Sequence, residues 1–573
     1  MSKTVGIDLG TTNSLVAVVE NGRPYVLARG EERLVPSVVG LADDGSIIVG
    51  QAALNQYVLA PERTIRSIKR KMGSDETVKL GDRDYSPAEI SAFILGHLKA
   101  LAEEVLGDTV DRAVITVPAF FNDTQRQLTK QAGELAGLEV VRIINEPTAA
   151  ALAYGLEKQH DQFLLVYDLG GGTFDVSVIE QQGDILEVRA SHGNVNLGGD
   201  DFDERILQHL LAHLSNEHHY DFKEDRRALA RLNRAAERAK LALSDAPYAR
   251  AAEEFLARYD GQIAHLDTEL SRADFERMIE DLLASTIVSI ERALADAQLK
   301  PEQIQRVLLV GGSTRIPRVA ELIEERLGLQ PAMEINPDEA VALGAAVQAA
   351  IVNGETINAM LIDVAPHSLG IAVAEVYFDQ VIPGGFRPII RRNTTVPTTK
   401  SERFHTMSPQ QDKVEIEVYQ GENAVAADNT HLGSFFFKDI PPAPDPHDDR
   451  EIIVEFSYNL NGIVEITARD HKGDRREMMT ISSTAAKRDV SEPEGRTLEL
   501  PAARFDETLE RDIQRALASA AQLAQQLADQ GKKKEAKKLQ KAQQALAAAS
   551  DTASEPDVRK AIDALEDVIY DLG

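Results

Sequence analysis

The order of hydrophobic and polar residues divides the chain into three parts. Up to about residue 355, short apolar runs alternate with stretches whose apolar positions recur at helical spacing. The short runs have the composition of strands buried on both faces, and they occupy residues 113–117, 163–167 and 307–310. The helical stretches include residues 87–106, 229–244 and 317–327. This alternation predicts a layered α/β domain over residues 1–355.

A second part, residues 364–484, has the two-residue periodicity of half-buried strands. The alternating apolar positions are Val414, Ile416 and Val418 on one strand and Ile452, Val454 and Phe456 on another. The Asn461-Gly462 pair predicts a hairpin turn. This part is therefore predicted to be a compact antiparallel β domain.

The remaining segments are a linker and a helical end. The apolar stretch from Ala359 to Ile362 runs into Asp363 and predicts an interdomain linker over residues 356–363. Residues 485–573 are poor in Gly and rich in Ala, Gln and Lys, and they predict a short helical subdomain. Its helical spacing is carried by Leu509, Ile513, Leu517, Ala520, Ala524 and Leu527, and then by Val558, Ala561, Ile562, Leu565, Val568 and Leu572.

Composition narrows the function. The 573 residues carry a formal net charge of -30, which argues against a nucleic-acid or anionic-membrane partner, since either requires a basic face. The basic run from Lys532 to Lys541 is expected to be solvated helix surface. The absence of cysteine excludes disulfides, zinc-thiolate sites and thiol nucleophiles. No basic-then-apolar leader and no apolar run of about 18 residues is present, so we expect a cytoplasmic protein.

The most informative feature is a repeated hairpin. The stretch DLGTTNSLVAVVE from Asp8 returns as DLGGGTFDVSVIE from Asp168, with six of thirteen positions identical. Each copy delivers an Asp into a turn of small residues, and the duplication predicts two similar lobes with a cleft between them. Two such turns facing each other are suited to hold nucleotide phosphates on backbone N–H groups, with two carboxylates for a metal ion. A single copy would be interpreted as an ordinary hairpin turn.

A third Gly-rich element follows the strand at 307–310. Small residues at Gly311, Gly312 and Ser313 allow a flat ring to approach the backbone, and Arg315 is placed to stack on a base. No segment reads G-x-x-x-x-G-K-[ST], and no strand-to-helix G-x-G-x-x-G occurs. Neither a P-loop nor a dinucleotide fold is therefore supported.

These motifs together resemble the 70-kDa heat-shock (Hsp70) chaperone family, whose nucleotide domain shares its fold with actin and sugar kinases. The matching segments are GIDLGTTNS (6–14), VPAFFND (117–123), INEPTAA (144–150), DLGGGTFD (168–175), LGGDDFD (197–203) and NPDEA (336–340). The resemblance implies a multidomain chain: an actin-like, two-lobed α/β ATPase domain (1–355), a linker (356–363), a β-sandwich peptide-binding domain (364–484) and a short α-helical lid (485–573). It implies an ATP hydrolase whose turnover controls binding and release of extended hydrophobic segments of unfolded proteins.

The resemblance also assigns expected roles to residues of the nucleotide site. Lys69 would hold the γ-phosphate and the attacking water, Glu146 would orient water and metal, and Thr173 and Asp175 would line the γ-phosphate. Asp8 and Asp168 would hold Mg²⁺ largely through its waters. The cofactors implied are ATP/ADP and Mg²⁺, and K⁺ is also allowed. The other expected nucleotide contacts are Gly10, Thr11, Thr12, Asn13, Gly170, Gly171, Gly172, Gly198, Gly199, Glu237, Lys240, Ser244, Gly311, Gly312, Ser313, Arg315 and Asp338.

Plainer interpretations exist for several of these residues. Lys69 would otherwise be interpreted as a surface lysine at a basic helix end. Glu146, which precedes a proline, is expected at the end of a strand, and the alternative is an ordinary helix N-terminal residue. Glu237 and Lys240 alone would be an i, i+3 ion pair on a helix surface.

A second set of matching positions concerns coupling between domains. Pro118 and Arg126 match a relay that leaves the nucleotide site in the family. Arg142, Asn145 and Asp363 match the surface used by J-domain co-chaperones. The linker departs from the family's run of Val and Leu, because Ala359 and Met360 stand in its first half.

The peptide site is expected in the β domain. Ile371, Phe404, Val414 and Ile416 would line the cleft for an extended peptide, although the same residues fit a plain sandwich core. Aligned by spacing, Ala374 and Met407 would form the arch over the peptide. The loop expected over residues 375–390 is longer than is usual for the family.

The chain departs from the common family pattern in two ways, and both resemble the compact HscC branch of the family. The chain lacks a segment between Gly73 and Tyr85, and the helical end is short. A short lid predicts faster peptide exchange and a narrower client set. The need for a nucleotide exchange factor is left open.

Two functions other than a chaperone are compatible with the nucleotide fold. The first is a sugar or metabolite kinase, which has no use for residues 363–573. The second is a non-hydrolysing exchange partner of another chaperone, which the intact Lys69, Glu146, Asp168 and Thr173 argue against.

Overall fold

The computed structural model describes most of the first 480 residues. The described ranges are 3–30, 32–155, 161–219, 221–259, 262–332, 336–377, 380–408, 410–440, 450–460, 463–470 and 476–480, with scattered positions between 520 and 568. The chain divides into two units, Met1–Leu498 and Glu499–Gly573. Each unit has its own packing.

The first lobe comprises residues 3–155. Its strands are β1 (Lys3–Asp8), β2 (Asn13–Glu20), β3 (Arg23–Val26), β4 (Val35–Pro36), β5 (Val39–Leu41), β6 (Ile47–Val49), β7 (Thr64–Ile65), β8 (Val78–Leu80), β9 (Arg83–Tyr85), β10 (Val110–Val117) and β11 (Glu139–Asn145). Its helices are α1 (Gln51–Tyr57), α2 (Pro87–Leu106), α3 (Asp123–Leu135) and α4 (Glu146–Gly155), with 3₁₀ turns at Pro61–Arg63 and Ile68–Lys71. The central sheet has the order β11-β10-β1-β2-β3.

The second lobe comprises residues 161–355. Its strands are β12 (Gln162–Leu169), β13 (Phe174–Gln182), β14 (Ile185–Asn194), β15 (Tyr248–Tyr259), β16 (Gln262–Ser271) and β17 (Arg306–Val310). Its helices are α5 (Gly199–His218), α6 (Arg226–Asp245), α7 (Arg272–Met278), α8 (Glu280–Asp296), α9 (Pro317–Leu327) and α10 (Ala340–Val352), with 3₁₀ turns at Phe222–Glu224, Pro301–Gln303 and Gly312–Arg315. The central sheet contains the order β17-β12-β13-β14.

The two central sheets repeat one pairing pattern. In the first lobe β1 pairs with β10 in parallel and with β2 antiparallel, and β2 pairs antiparallel with β3. In the second lobe β12, β17, β13 and β14 have the same relations in the same order. The predicted strands at 113–117, 163–167 and 307–310 lie in β10, β12 and β17. The mixed α/β structure with repeated sheets fits an actin-like ATPase domain.

Local sequence signals explain the best-predicted helix. α2 spans the predicted residues 87–106, because Ser86 and Glu89 form a reciprocal capping box at its start and Gly107 ends it with a φ of 63°. α9 also has its predicted bounds, and α6 extends the predicted 229–244 by a few residues at its start and one at its end.

Two Ala-rich helices, α4 and α10, pack between the central sheets. Nearly every residue of both helices is buried, so they lack the polar face of a surface helix. Gly344 allows the close crossing, because a Cβ there would lie 1.7 Å from the carbonyl oxygen of Ala149. A Cβ on Gly6 would lie 2.0 Å from the Ala346 nitrogen. These helices tie the lobes together at the base of the cleft.

The residues from 365 to 480 form a β sandwich. Its strands, with the preceding β18 (Met360–Val364), are β19 (Leu369–Tyr377), β20 (Gln380–Ile390), β21 (Thr395–Val396), β22 (Thr398–His405), β23 (Val414–Gln420), β24 (Thr430–Phe437), β25 (Glu451–Tyr458), β26 (Val464–Asp470) and β27 (Arg476–Thr480), with a 3₁₀ turn at Ala426–Asp428. The sheets have the orders β20-β19-β23-β24 and β22-β25-β26-β27, and all pairs within them are antiparallel. The predicted antiparallel pairing is observed in these strands, whereas the predicted turn at 461–462 and the predicted boundary at 484 lie outside the described residues.

Two segments expected to be irregular are strands. The 375–390 region, expected to be a loop, forms the end of β19 and all of β20, which pair as a hairpin. Within the predicted linker, residues 360–363 begin β18, which pairs in parallel with β14 of the second lobe and antiparallel with β21. The linker therefore continues the central sheet of the second lobe.

In the second unit, the described positions are helical. They are Ala520, Lys537, Leu539, Lys541, Ala542, Leu546, Arg559, Lys560, Ala561, Ile562, Ala564, Leu565 and Val568. Ala520, Leu539, Leu546, Ile562 and Leu565 are buried. The other positions of the predicted helical spacing, including Leu509, Leu527 and Leu572, and the basic residues 532–534, lie outside the described residues. None of the helices in the described ranges combines the length and apolar character needed to cross a bilayer.

Candidate active site

A cavity of about 330 Å³ lies between the two lobes and gathers residues from distant parts of the chain. This volume is within the usual range of small-ligand sites, about 300–1,000 Å³. The predicted residues that line it are Asp8, Gly10, Thr11, Thr12, Asn13, Lys69, Glu146, Asp168, Gly170, Gly171, Thr173, Glu237, Lys240, Ser244, Gly311, Gly312, Ser313, Arg315 and Asp338. The three Gly-rich turns therefore face one cavity.

The two repeated turns approach each other closely. A Cβ added to Gly171 would lie 1.8 Å from Thr12 Oγ1, and one added to Gly172 would lie 2.6 Å from the Thr11 methyl carbon. Glycine is therefore required there for the lobes to meet. Each turn is also held internally: the Gly170 nitrogen donates to the Thr173 carbonyl oxygen at 3.0 Å, and the Gly10 nitrogen donates to Ser14 Oγ at 3.2 Å.

Four predicted residues do not line the cavity. Gly172 belongs to the second-lobe turn, and Gly198 and Gly199 stand behind it, where a Cβ on Gly198 would lie 2.5 Å from Gly171. Asp175 is buried beside the cavity, and its carboxylate accepts hydrogen bonds from the backbone nitrogens of Ala119 and Phe120 at 3.0 and 3.1 Å. Asp175 therefore contacts the first lobe rather than the cavity space.

Lys69 and Glu146 form a buried ion pair in the cavity. Lys69 lies in the 3₁₀ turn Ile68–Lys71 and is 4% exposed, so the interpretation as a surface lysine is wrong. Its Nζ lies 2.5 Å from Glu146 Oε1. β11 ends at Asn145 and Glu146 is the first residue of α4, so Glu146 is helix N-terminal and also faces the cavity.

Four carboxylates surround this single ammonium group: Asp8, Glu146, Asp168 and Asp175. Burial, reinforced by the charge of Glu146, raises the pKa of Asp8 to about 7 and that of Asp175 to about 7. Burial and the neighbouring Glu146, Asp175 and Asp8 raise the pKa of Asp168 well above its usual value. The site has an excess of negative charge that one lysine does not neutralise.

The donor set fits a magnesium ion that is bound through water and phosphate. Asp168 Oδ2 is buried and has no hydrogen-bond partner among the described residues, and Asp8 Oδ1 accepts a bond from Thr116 Oγ1 at 3.1 Å. In the described ranges, no three His, Cys, Asp or Glu side chains are close enough to hold a metal by themselves. Mg²⁺ commonly uses one or two carboxylates, several waters and substrate phosphates.

The opposite end of the cavity carries the residues expected around adenosine. Glu237 pairs with Arg66 of the first lobe at 2.9 Å, and Lys240 pairs with Asp203 at 2.8 Å, so the interpretation of Glu237 and Lys240 as a mutual surface pair is wrong. Arg315 Nη2 lies 2.6 Å from Asp338 Oδ2, which fixes the guanidinium at the cavity wall.

Apolar lining residues were missed by motif reasoning. They are Leu15, Leu34, Leu241, Val310, Ile316, Pro337 and Val341. Leu241 was open to prediction, since it follows Glu237 by four residues on one helix face. Leu34 and Arg66 belong to no motif, because their relation to the site exists only across the two lobes.

The family model described as "Hsp70 protein" matches residues 4–573. The chain belongs to the Hsp70 family. Hsp70 proteins are ATPases that bind ATP or ADP with Mg²⁺ and act as ATP-dependent chaperones. They generally bind unfolded clients and J-domain co-chaperones.

In this Hsp70 chain, hydrogen bonds connect the cavity with the linker. Asp175 holds the backbone of Ala119 and Phe120, as described above. Arg126 Nη2 donates to the Ala119 carbonyl oxygen at 3.0 Å and to Asn145 Oδ1 at 2.7 Å. Asn145 Nδ2 donates to Asp363 Oδ2 at 2.8 Å. Asn145 directly precedes Glu146, so the same strand end contacts both the cavity and the linker.

The other predicted coupling residues lie around this network. Pro118 begins the turn that carries Ala119 and Phe120, and its carbonyl oxygen accepts from the Phe121 nitrogen at 3.1 Å. Arg142 lines a small cavity of about 20 Å³ with Arg126, Asn145 and Asp363. Burial lowers the pKa of Arg142, although Asp363 opposes the shift.

The β sandwich of this Hsp70 chain contacts the first lobe directly. The Asp123 nitrogen donates to Gln420 Oε1 at 3.3 Å, and His367 Nε2 donates to the Phe120 carbonyl oxygen at 3.1 Å. Arg392 also pairs with Asp296 of the second lobe at 2.8 Å. The sandwich is therefore docked against both lobes.

The predicted peptide residues fall into two groups. Ile371 and Ile416 are buried in the sandwich core, and Phe404 and Val414 are partly buried against it. The core interpretation of these four residues therefore describes their positions in this structure. Ala374 and Met407 of the predicted arch are exposed.

Proposed function

We propose that this Hsp70 chain hydrolyses Mg-ATP in the interlobe cavity and thereby controls how its β sandwich binds extended apolar peptide segments. The observation that carries the proposal is the convergence of Lys69, Glu146, Asp8, Asp168 and Thr173 on one cavity. A contiguous hydrogen-bond path from the neighbouring Asp175 to the linker supports the coupling.

The residues of the cavity would act mainly by positioning and charge. Lys69 would place its ammonium group against the γ-phosphate, and Glu146 would hold both Lys69 and the attacking water. Backbone N–H groups of the two Gly-rich turns would hold the phosphates. Asp8 and Asp168 would hold the Mg²⁺ shell, and the bound ion would neutralise phosphate charge. Phosphoryl transfer to water requires little covalent chemistry from the protein.

Loss of the γ-phosphate would be sensed by the first lobe. Thr173 and Asp175 flank Phe174 at the start of β13, and Asp175 holds the Ala119–Phe120 turn. A shift of this turn would move Arg126 and Asn145, and with them the hydrogen bond to Asp363 in β18. The linker strand would then leave the sheet of the second lobe and release the sandwich.

The released sandwich would bind peptide as an extended strand. Main-chain hydrogen bonds would supply affinity, and a pocket near Ile371, Phe404, Val414 and Ile416 would select one apolar side chain. Burying such a side chain is worth about 1.5–3 kcal/mol, which gives modest affinity. The burial of Ile371 and Ile416 in the docked structure means that this pocket would open only after release.

J-domain stimulation would act at the domain junction. Arg142 is half-buried beside Asn145 and Asp363, so a J-domain that pairs with Arg142 would disturb the bond that holds the linker. The missing segment after Gly73 and the short helical end support placement near the HscC branch, with fast peptide exchange and few clients. A further departure is the hairpin β19–β20, which lies where we expected a loop.

Steady-state ATP hydrolysis tests the proposal. An apolar heptapeptide should stimulate turnover, hexoses should not, and Lys69→Ala should lower the rate on the order of 100-fold, as for loss of one preorganised charge. Lys71→Ala is the matched control, because Lys71 lies in the same 3₁₀ turn but is exposed and pairs with Glu76. Stimulation by a hexose, or equal rates in the two variants, would overturn the proposal.

A further inference from the structure

Serine hydroxyls hold the same carbonyl group in both repeated turns. Gly10 and Gly170 occupy equivalent positions of the repeat, and both line the cavity. Ser37 Oγ donates to the Gly10 carbonyl oxygen at 2.8 Å, and Ser313 Oγ donates to the Gly170 carbonyl oxygen at 2.9 Å. Both serines come from outside the repeated hairpins. Ser37 lies between β4 and β5, and Ser313 lies in the 3₁₀ turn after β17. The two lobes therefore share one device at one position of the repeat.

Each of these carbonyl groups belongs to the same peptide unit as the N–H group of the next residue. Because a trans peptide is planar, its C=O and N–H bonds point in opposite directions. A serine that holds the carbonyl oxygen on one side therefore fixes the N–H group of Thr11 or Gly171 on the other. Both residues line the cavity, and in the described part of the chain neither backbone nitrogen donates a hydrogen bond. Unpaired N–H groups are uncommon inside proteins, so these two are placed for acceptor atoms of a ligand.

In the first lobe this contact closes a ring of hydrogen bonds. The Gly10 nitrogen donates to Ser14 Oγ at 3.2 Å, and Ser14 Oγ lies 2.8 Å from Ser37 Oγ. A carbonyl oxygen can only accept, so the hydroxyl hydrogen of Ser37 points to Gly10, and Ser14 donates to Ser37. Both serines are buried. The Ser37 nitrogen also donates to the Thr12 carbonyl oxygen at 2.8 Å, so Ser37 holds the turn at two points.

We propose that Ser37 is a positioning residue that directs the Thr11 N–H group towards phosphate oxygens, and that Ser313 does the same for Gly171. This inference rests on the proposed nucleotide-binding function and adds to it a residue that belongs to no motif. A donor that is fixed before the ligand arrives needs no reordering when the ligand binds. Affinity for the phosphates, rather than for adenosine, should therefore depend on Ser37. Ser37 gives the cleaner test, because Ser313 itself lines the cavity and Ser37 does not.

The test is calorimetric binding of Mg-ADP and of adenosine to the full chain. Ser37→Ala should weaken Mg-ADP binding about ten-fold, which corresponds to about 1.4 kcal/mol. Its affinity for adenosine should equal that of the wild type, because adenosine has no phosphate. Ser37→Cys keeps the size of the side chain but has a weaker donor, so its Mg-ADP affinity should lie between the two. A general loss of structure would weaken both ligands together.

Ser191→Ala is the matched control. Ser191 Oγ lies 2.8 Å from Ser177 Oγ, and this second buried serine pair joins β13 to β14. The control leaves the Ser177 hydroxyl without its partner, as Ser37→Ala does for Ser14. It should bind both ligands as the wild type does.

Three results would refute the role of Ser37 while leaving nucleotide binding intact. They are equal Mg-ADP affinity in wild type and Ser37→Ala, a parallel loss of Mg-ADP and adenosine binding in Ser37→Ala, and an equal loss of Mg-ADP binding in Ser191→Ala. If Ser37→Ala does not fold, Ser37→Cys decides by the same comparison of the two ligands. Failure of the wild type to bind Mg-ADP would instead refute the proposed function, and this inference with it.

Discussion

At the residue scale, the nucleotide cavity and its wall hold more buried carboxylates than cations. Asp8, Glu146, Asp168 and Asp175 face one lysine, and burial and mutual repulsion raise the pKa of Asp8, Asp168 and Asp175. An acid whose pKa is raised by folding holds more protons in the folded than in the unfolded state. The free energy of unfolding therefore falls as pH rises from about 4 towards the raised pKa values.

Removing one of these carboxylates should separate stability from function. We expect Asp168→Asn to raise the melting temperature of the nucleotide-free protein at pH 7.5, because a neutral amide replaces a buried carboxyl group that Glu146, Asp175 and Asp8 repel. A gain of about 1–2 kcal/mol corresponds to a few degrees in a domain of this size. The same variant should lose most of the extra stabilisation that Mg-ADP gives the wild type.

Differential scanning calorimetry with and without Mg-ADP checks this expectation. Asp75→Asn is the control, because Asp75 is an exposed carboxylate of the first lobe. It should change neither melting temperature nor Mg-ADP response. An Asp168→Asn protein that melts below the wild type without ligand would show that the carboxylate cluster is not a source of strain.

Sequence reasoning at this scale succeeded where residues stand in motifs. Gly10, Gly171 and Gly312 line the cavity because local turn chemistry brings each of them to the end of a strand. Arg66 was not predicted, since it lies 171 positions from Glu237 and no local pattern relates them. Contacts of this kind depend on how the two lobes close, which periodicity does not encode.

At the element scale, local sequence predicted α2, whereas β18 depends on a distant part of the chain. α2 has its predicted bounds because its capping box and its terminal glycine lie within the helix neighbourhood. The strand conformation of the linker depends on β14, whose paired residues lie about 175 positions earlier. From sequence alone, an apolar stretch with no neighbouring strand is interpreted as a linker. It is a strand in the structure because the fold brings β14 beside it.

The linker strand has two faces that allow a controlled test. Leu361 packs against the core between the lobes, whereas Met360 next to it is 58% exposed. We expect Leu361→Asp to release the linker from β14, because it removes the apolar contact of a partly buried leucine and adds a charge. Peptide should then fail to stimulate ATP hydrolysis, while ATP still binds.

Met360→Asp is the control on the same strand and should keep most of the stimulation. Steady-state hydrolysis with and without the heptapeptide measures both variants, and calorimetric ADP binding confirms that the nucleotide site is intact. If Leu361→Asp keeps full stimulation, the linker strand does not carry the coupling. If Met360→Asp loses as much, the effect comes from charge near the strand rather than from packing.

At the scale of the whole molecule, the docked sandwich buries ionisable groups at its contact with the lobes. Burial raises the pKa of Asp123 to about 8, although Arg126 opposes the shift. Burial lowers the pKa of His367, and it lowers the pKa of His192 to about 4 with the help of Arg292 and Arg392. Both histidine rings pack on Phe120, at centroid distances of 4.3 and 5.1 Å.

Docking should therefore depend on pH, and Asp123 and the histidines should act in opposite directions. Undocking returns Asp123 and the histidines towards their ordinary pKa values of about 4 and 6.5. Asp123 takes up a proton on docking, so its contribution weakens docking as pH rises from about 4 to 8. The two histidines release protons on docking, so their contribution strengthens it as pH rises to about 6.5. Below that pH the histidines oppose Asp123, and above it Asp123 acts almost alone.

The expected result is docking that weakens as pH rises from about 6.5 to 8.5 and that depends less on pH below 6.5, where the two contributions oppose each other. The chain contains no cysteine, so a donor and an acceptor dye can be attached to cysteines introduced at Ala100 of the first lobe and Glu465 of the sandwich, both exposed. Energy transfer in the ATP state then reports docking from pH 5.5 to 8.5. Asp123→Asn should remove the decline above pH 6.5, because it removes the group that titrates there. His367→Leu should make docking fall more steeply with pH below 6.5, because it removes a group that opposes Asp123. Profiles in both variants that match the wild type would mean that these buried groups do not set the pH dependence of docking.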